Sequence, residues 1–213
     1  MTADAVRPGR VDDLVEAERS SAGALFIVAH IGNVDLARAL LDETTRRRLL
    51  VLVHTRHAEN YNRLLREYRP DAAFNTWQVT DLGPATAMEL KARVEQGAWV
   101  VIAGDRVPIS SDRVSRIPFL GQPAPFSQGP YILASLLDCP VYTLFCMRRG
   151  DHHVLDVERF ADRVVLPRQN RDAALDGYAA AFAARLEQYA VSDPLQWYNF
   201  FDFWNPAGKE PRP

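Results

Sequence analysis

The stretch Ala24-Leu-Phe-Ile-Val-Ala29, with Gly23 before it and His30, Gly32 and Asn33 just after, decides how the rest of the chain reads. Six consecutive apolar residues are too few for a typical helix, and they lack the alternation of a half-exposed strand. They predict a strand covered on both faces. Leu49 to Val53 and Trp99 to Ala103 have the same character, and Phe74 to Val79 is a weaker strand candidate. Between these runs, apolar residues recur at helical spacing over Val34 to Leu41, Ala58 to Tyr68 and Thr86 to Glu95, with a short helix over Val11 to Arg19 ahead of the first strand. Strand and helix in alternation imply right-handed crossovers. The expected fold is therefore a single α/β domain with a mainly parallel sheet and helices on both faces.

Downstream, a helix is expected from about Gly129 to Leu137, strands over Val141 to Met147 and Val154 to Val157, and a long Ala-rich helix from Arg171 to Ala190. The aromatic run Trp197 to Trp204 is expected to pack on the domain. Asp105 to Ser127, rich in Pro, Ser and Arg, reads as a loop, and loops of that length inside a compact domain are usually functional. The polar, Pro/Gly-bearing start predicts a flexible segment over 1–10, the domain over 11–204, and a flexible tail over 205–213.

Composition narrows the classes. The 213 residues carry 25 basic and 27 acidic side chains, a net charge of −2, which argues against a general nucleic-acid-coating protein. No apolar run approaches the roughly 18 residues that span a bilayer. The two cysteines, Cys139 and Cys146, are too few for a disulfide scaffold and read as buried apolar residues. His152 and His153 beside Asp151 lack further ligands at metal-site spacing, so no metal is expected.

Reactive groups in parallel α/β sheets lie just beyond the carboxyl ends of the strands. The residues there are His30, Asn33 and Asp35 after the first strand, His54, Arg56 and His57 after the second, and Gly104, Asp105 and Arg106 after the third. His, Asp and Arg together make an acid–base site with a cationic stabiliser. The spacing His30-x4-Asp35 sets a carboxylate about one helical turn past the imidazole. A carboxylate on one ring nitrogen fixes the tautomer and leaves the other nitrogen free to take a proton. The same spacing occurs at His54/Glu59 and His153/Glu158, and Asp35 could equally serve only to cap a helix. What sets His30 apart is the tight turn allowed by Gly32 and Asn33 after the most apolar strand.

These blocks carry a resemblance. Ala29-His-Ile-Gly-Asn-Val-Asp35 resembles the His-x4-acid motif of the lysophospholipid acyltransferase-like superfamily, and within it the bacterial lipid A biosynthesis (lauroyl/myristoyl) acyltransferases. Val100 to Arg106 is similar to a strand ending in Asp-Gln or Asp-Arg. Ile117 to Pro130, Ala134 to Arg148 and Trp197 to Trp204 resemble three later blocks, in the family's order. The resemblance implies a glycerolipid acyltransferase-like α/β/α sandwich with a mainly parallel mixed sheet. It implies transfer of an acyl chain from a thioester, on acyl-carrier protein or CoA, to a hydroxyl of a lipid or glycolipid, with no cofactor.

By the same resemblance His30 is the general base, Asp35 its partner and Asp105 a further site residue. Arg66, or else Arg63, corresponds to a functional Arg in the helix after the second strand. Asn33, Arg63, Gly104 and Arg106 are expected at the substrate, and Arg66 or backbone amides near Gly104 at the oxyanion. Asp105-Arg106 in place of Asp-Gln resembles the subgroup acting on non-lipid-A lipids. A thioester hydrolase and a non-catalytic lipid- or carrier-binding module are the other readings of these residues. The expected location is cytoplasmic, at the inner face of the membrane, with contact through Ile117 to Leu120, Pro123 to Phe126 and the basic turn Arg46 to Arg48.

Overall fold

A computed structural model of the chain describes residues 6–20, 22–37, 43–53, 76–78, 83–107 and 113–205. Its centre is the first apolar run, now strand β2 (Ala24–Val28), all five residues of which are buried. On one side β2 pairs in parallel with β5 (Trp99–Ala103), from Ala24 opposite Trp99 to Val28 opposite Ala103. On the other it pairs in parallel with β8 (Val141–Arg149). Beyond β5 lie β3 (Leu49–Val53) and β4 (Thr76–Gln78), also parallel. Beyond β8 lie β9 (His152–Ala161), antiparallel to it, and β1 (Val6–Pro8), parallel to β9. The sheet order is β1-β9-β8-β2-β5-β3-β4, seven strands with one antiparallel pair.

Side chains on a strand alternate between faces, and here each face buries its own core. Leu25, Ile27, Val100, Ile102, Val141 and Phe145 belong to one cluster; Ala24, Phe26, Trp99, Tyr142 and Cys146 belong to the other. The first is covered by helices α4 (Pro84–Glu95), α5 (Gly129–Leu137) and α6 (Arg171–Ser192). On α6 the buried residues Leu175, Ala179, Phe182, Ala183, Leu186 and Ala190 fall three, four or seven apart, the spacing of one helical face. The second cluster takes Leu14 from α1 (Asp12–Arg19) and Leu36 from the short α2 (Val34–Ala37). The α/β/α sandwich with a mainly parallel mixed sheet is thus the fold.

Two elements differ from expectation. The start of the chain is not loose throughout: Val6–Pro8 forms an edge strand with Val6 buried, and Gly9 N–H donates to Leu155 O. Pro8 has no N–H to give a ladder, which suits it to an edge. The Pro-rich stretch after β5 is not structureless either. Val114–Phe119 (β6) and Gln122–Ser127 (β7) form an antiparallel hairpin. Its two-residue turn, Leu120-Gly121, has positive φ at both positions (50° and 82°), the backbone twist that joins antiparallel strands directly.

This hairpin also revises the expected membrane contact. Ile117, Phe119, Ala124 and Phe126 point inward and are buried, and Phe119 and Phe126 meet edge to face at 5.3 Å. Glu187 on α6 accepts from Leu120 N–H and pins the turn down. The basic turn sits elsewhere. Helix α3 (Glu43–Arg48) leads directly into β3, so Arg46 to Arg48 lie at the amino edge of the parallel strands, opposite the edge that carries His30. Arg48 donates there to Gly97 O (2.6 Å) and Ala22 O (3.0 Å) and lies over the Trp99 ring, tying loops together.

Phe119→Ala should cost about 3–5 kcal/mol in urea denaturation, the range for emptying a packed aromatic site. Phe200→Ala, at a position 89% exposed, should stay within about 0.5 kcal/mol of the wild type.

Candidate active site

Continuing the residue-for-residue pairing of β2 and β5 by two positions places His30 beside Asp105. The two side chains meet there: His30 Nδ1 lies 2.8 Å from Asp105 Oδ1, and the His30 backbone N–H donates to Asp105 Oδ2 at 2.9 Å. The carboxylate is 2% exposed, whereas the imidazole is 45% exposed. One half of the pair is buried and fixed, the other faces outward.

Burial alone would push the Asp105 carboxyl up. The ring and backbone N–H donors of His30, the charge His30 can carry and the nearby Arg106 outweigh it and hold the acid below the ordinary carboxylate range. An ionised Asp105 can only accept, so Nδ1 carries the hydrogen. In the neutral ring Nε2 then carries the lone pair, and it has no hydrogen bond among the described residues. A neutral imidazole held this way, on a side chain 45% exposed, has the arrangement that general-base chemistry needs.

Gly32 makes the geometry possible. At φ +65°, its Cα approaches β8 so closely that a Cβ would lie 2.1 Å from Cys146 O. Asn33 N–H donates to that same carbonyl at 2.7 Å, and Asn33 Oδ1 accepts from Leu36 N–H at 3.3 Å. The Asn33 side chain therefore caps α2 in this structure.

Gly104 is placed at the site but does not serve it as expected. Its N–H donates to Val28 O at 2.8 Å and is unavailable to an oxyanion. The missing side chain matters instead, because a Cβ there would press on Ile27 and on the Phe182 ring at 2.8 Å. Arg106 sits directly over the pair. Its Nε lies 3.2 Å from His30 Nδ1, and its terminal nitrogen donates to Tyr198 O at 3.2 Å. Because Nδ1–H already points to Asp105, that ring nitrogen has no lone pair for Arg106, so the guanidinium stands beside the ring as a cation. Its other face covers Phe201 at 4.5 Å.

The carboxylate on His30 Nδ1 is thus that of Asp105, where the x4 spacing pointed to Asp35. Asp35 is in the first turn of α2, and its side chain lies outside the described residues, as do Arg63, Arg66, His54 and His57. Sequence reading missed the contribution of the chain's end. Gln196 to Tyr198 lie across the turn that carries His30. Gly32 N–H donates to Gln196 O (2.9 Å), Tyr198 N–H donates to His30 O (2.8 Å), and Trp197 Nε1 donates to Asp105 Oδ2 (3.3 Å).

Cys139 and Cys146 stay out of the chemistry. Both are buried, which pushes their thiols up to about 12 and about 11. Among the described residues no cluster of potential metal ligands occurs, and no helix is long and apolar enough to cross a membrane.

A search of curated proteins gave no match for the sequence. The family model of bacterial lipid A biosynthesis acyltransferases matches residues 3–205, a span that runs from just ahead of β1 through the aromatic tail. The chain belongs to that family. It is therefore an acyltransferase with a lipid acceptor, and this acyltransferase sets a buried carboxylate and a solvent-facing imidazole at the carboxyl edge of its sheet.

Two consequences are measurable in Asp105→Asn. Turnover should fall about 10²–10⁴-fold, because an amide no longer dictates which ring nitrogen carries the hydrogen. Since the folded acid titrates below its unfolded value of about 3.9, its stabilising effect is complete above that pH and is lost as pH falls through the folded value. The stability gap between wild type and variant, followed by denaturant titration, should be widest near neutrality and close below about pH 4.

Proposed function

We propose that this protein is an O-acyltransferase that moves a fatty acyl chain from an acyl-carrier-protein thioester to a hydroxyl of a lipid or glycolipid, with His30 as base and Asp105 as its partner. The observation that carries the reading is the His30–Asp105 pair, with the carboxylate buried and the imidazole 45% exposed. The acceptor hydroxyl gives its proton to Nε2 as its oxygen attacks the thioester carbonyl. The tetrahedral intermediate collapses, the C–S bond breaks, and the thiolate leaving group takes the proton back from Nε2. Asp105 keeps the imidazole in one tautomer and stabilises the cation that forms between the two steps.

The developing oxyanion needs aimed donors, which usually supply the largest single term in acyl transfer. With the Gly104 amide already bonded, Arg66 or Arg63 takes that role, with Arg106 the cation nearest the imidazole. Asp35, in the first turn of α2, is retained as a second acid of the reaction. The purified enzyme with acyl-carrier-protein thioester and lipid acceptor should yield acylated lipid by mass spectrometry. His30→Ala should lower the rate at least about 10²-fold with the fold intact. Free fatty acid released at full rate without acceptor would instead assign the chain to thioester hydrolysis.

A lipid acceptor must be met at a bilayer surface, and a group of exposed apolar residues lies in the segment 195–201 that crosses the His30 turn. Leu195 is 94% and Phe200 89% exposed, with Tyr198 and Phe201 partly so. Tyr198 and Phe201 adjoin Arg106, and the Phe200 ring lies 6.2 Å from that of Tyr198, so apolar and cationic groups stand together near His30. That combination suits a surface of anionic lipid, to which each basic group near it adds about 1 kcal/mol. The protein should sediment with vesicles containing phosphatidylglycerol, less so at high salt, and the double variant Leu195→Ser/Phe200→Ser should stay in the supernatant. Sedimentation unchanged in that variant would remove the tail from the membrane contact.

A further inference from the structure

The Asp105 carboxylate is buried, yet two of the three donors it has among the described residues come from one residue. Nδ1 of His30 holds Oδ1 and the backbone N–H of His30 holds Oδ2. Both would travel with His30 if its turn shifted, so neither fixes the pair relative to the rest of the protein. The third donor, the indole Nε1 of Trp197 at 3.3 Å from Oδ2, comes from a different element.

That element is firmly held. The Gln196 side chain pairs with the backbone of Arg148 at the end of β8, accepting from its N–H (2.7 Å) and donating to its carbonyl (2.9 Å). Ile31 and Trp197 form an antiparallel bridge. The Trp197 ring stands edge-on to Phe119 at 5.3 Å and to Phe203 at 5.0 Å, which restricts it to one orientation.

We propose that Trp197 is a positioning residue of the acyl-transfer centre. Among the described residues its indole N–H is the one donor that ties the Asp105 carboxylate to a part of the fold other than His30. This rests on the reading of His30 and Asp105 as the acyl-transfer pair. Trp204 supplies the contrast within the same aromatic cluster: its ring packs on Phe119 and Trp197, but its buried indole nitrogen has no hydrogen-bond partner among the described residues. One tryptophan contributes ring and donor, the other ring alone.

Trp197→Phe keeps an aromatic ring and deletes the donor. It should lower kcat about 3–10-fold, the usual worth of one hydrogen bond, with KM for both substrates within about twofold of wild type. Trp204→Phe, which removes an equal amount of ring, should retain wild-type kcat. In ¹H–¹⁵N spectra the Trp197 indole resonance should move in Asp105→Asn, and that of Trp204 should not. Wild-type kcat in Trp197→Phe, an equal loss in Trp204→Phe, or a Trp197 indole signal indifferent to Asp105→Asn would each overturn the proposal. The spectra decide the contact even if the wild-type chain transfers no acyl group, a result that would overturn the functional reading instead.

Discussion

The alignment of β2 with β5 is the constraint on which the rest depends. Parallel strands in register place residues of equal height side by side, and Val28 opposite Ala103 leaves His30 and Asp105 no choice but to be neighbours. Everything around them serves to keep that short overrun beyond the sheet from unravelling. Gly32 lets the chain turn against β8, Gly104 lets Phe182 of α6 close in from below, and the tail residues Gln196 to Tyr198 cross over the top. The charge balance follows from the same placement. A buried carboxylate is costly unless donors surround it, and here two come from His30 itself.

The two ends of the parallel strands have been given different work. At the carboxyl edge stand the titratable pair, Arg106 and the exposed aromatics of the tail. At the amino edge, Arg48 spends its guanidinium on two loop carbonyls and the Trp99 ring. A cluster of arginines is the same string of letters in either place, and only its position relative to strand direction separates a structural tie from a substrate contact.

That point marks how far the sequence could be read. The buried strands were legible because continuous apolar runs bounded by Gly or Pro have few other solutions, and α1, α4, α5 and α6 because their apolar residues kept a 3.6-residue period; the helix expected over Ala58 to Tyr68 lies outside the described residues. The His30 site was legible from its place after the strongest strand. Its carboxylate partner was drawn to Asp35 because spacing along the chain is visible and pairing across a sheet is not. The carboxylate on Nδ1 lay in the β2–β5 register, with His30 and Asp105 each two residues past the strand end. The β6–β7 hairpin was hidden by three prolines, although Ile117, Phe119, Ala124 and Phe126 alternate as strands do and Leu120-Gly121 is an acceptable turn. β1 is three residues long, too short for any periodicity. The tail's grip on His30 is a contact between distant segments that no local pattern encodes.

That long-range contact bears on how the protein comes into being. The turn after β2 leaves the ribosome early, while its partner at Trp197 follows more than 160 residues later, and the edge strand at Val6–Pro8 must wait for Val154 and its neighbours. At about 5–20 residues per second the interval is on the order of ten to thirty seconds. During that time the histidine is present but its acid partner lacks the indole that steadies it. In a growing chain the Asp105 carboxylate therefore gains the Trp197 donor only after the strands that carry it and His30 have long been made.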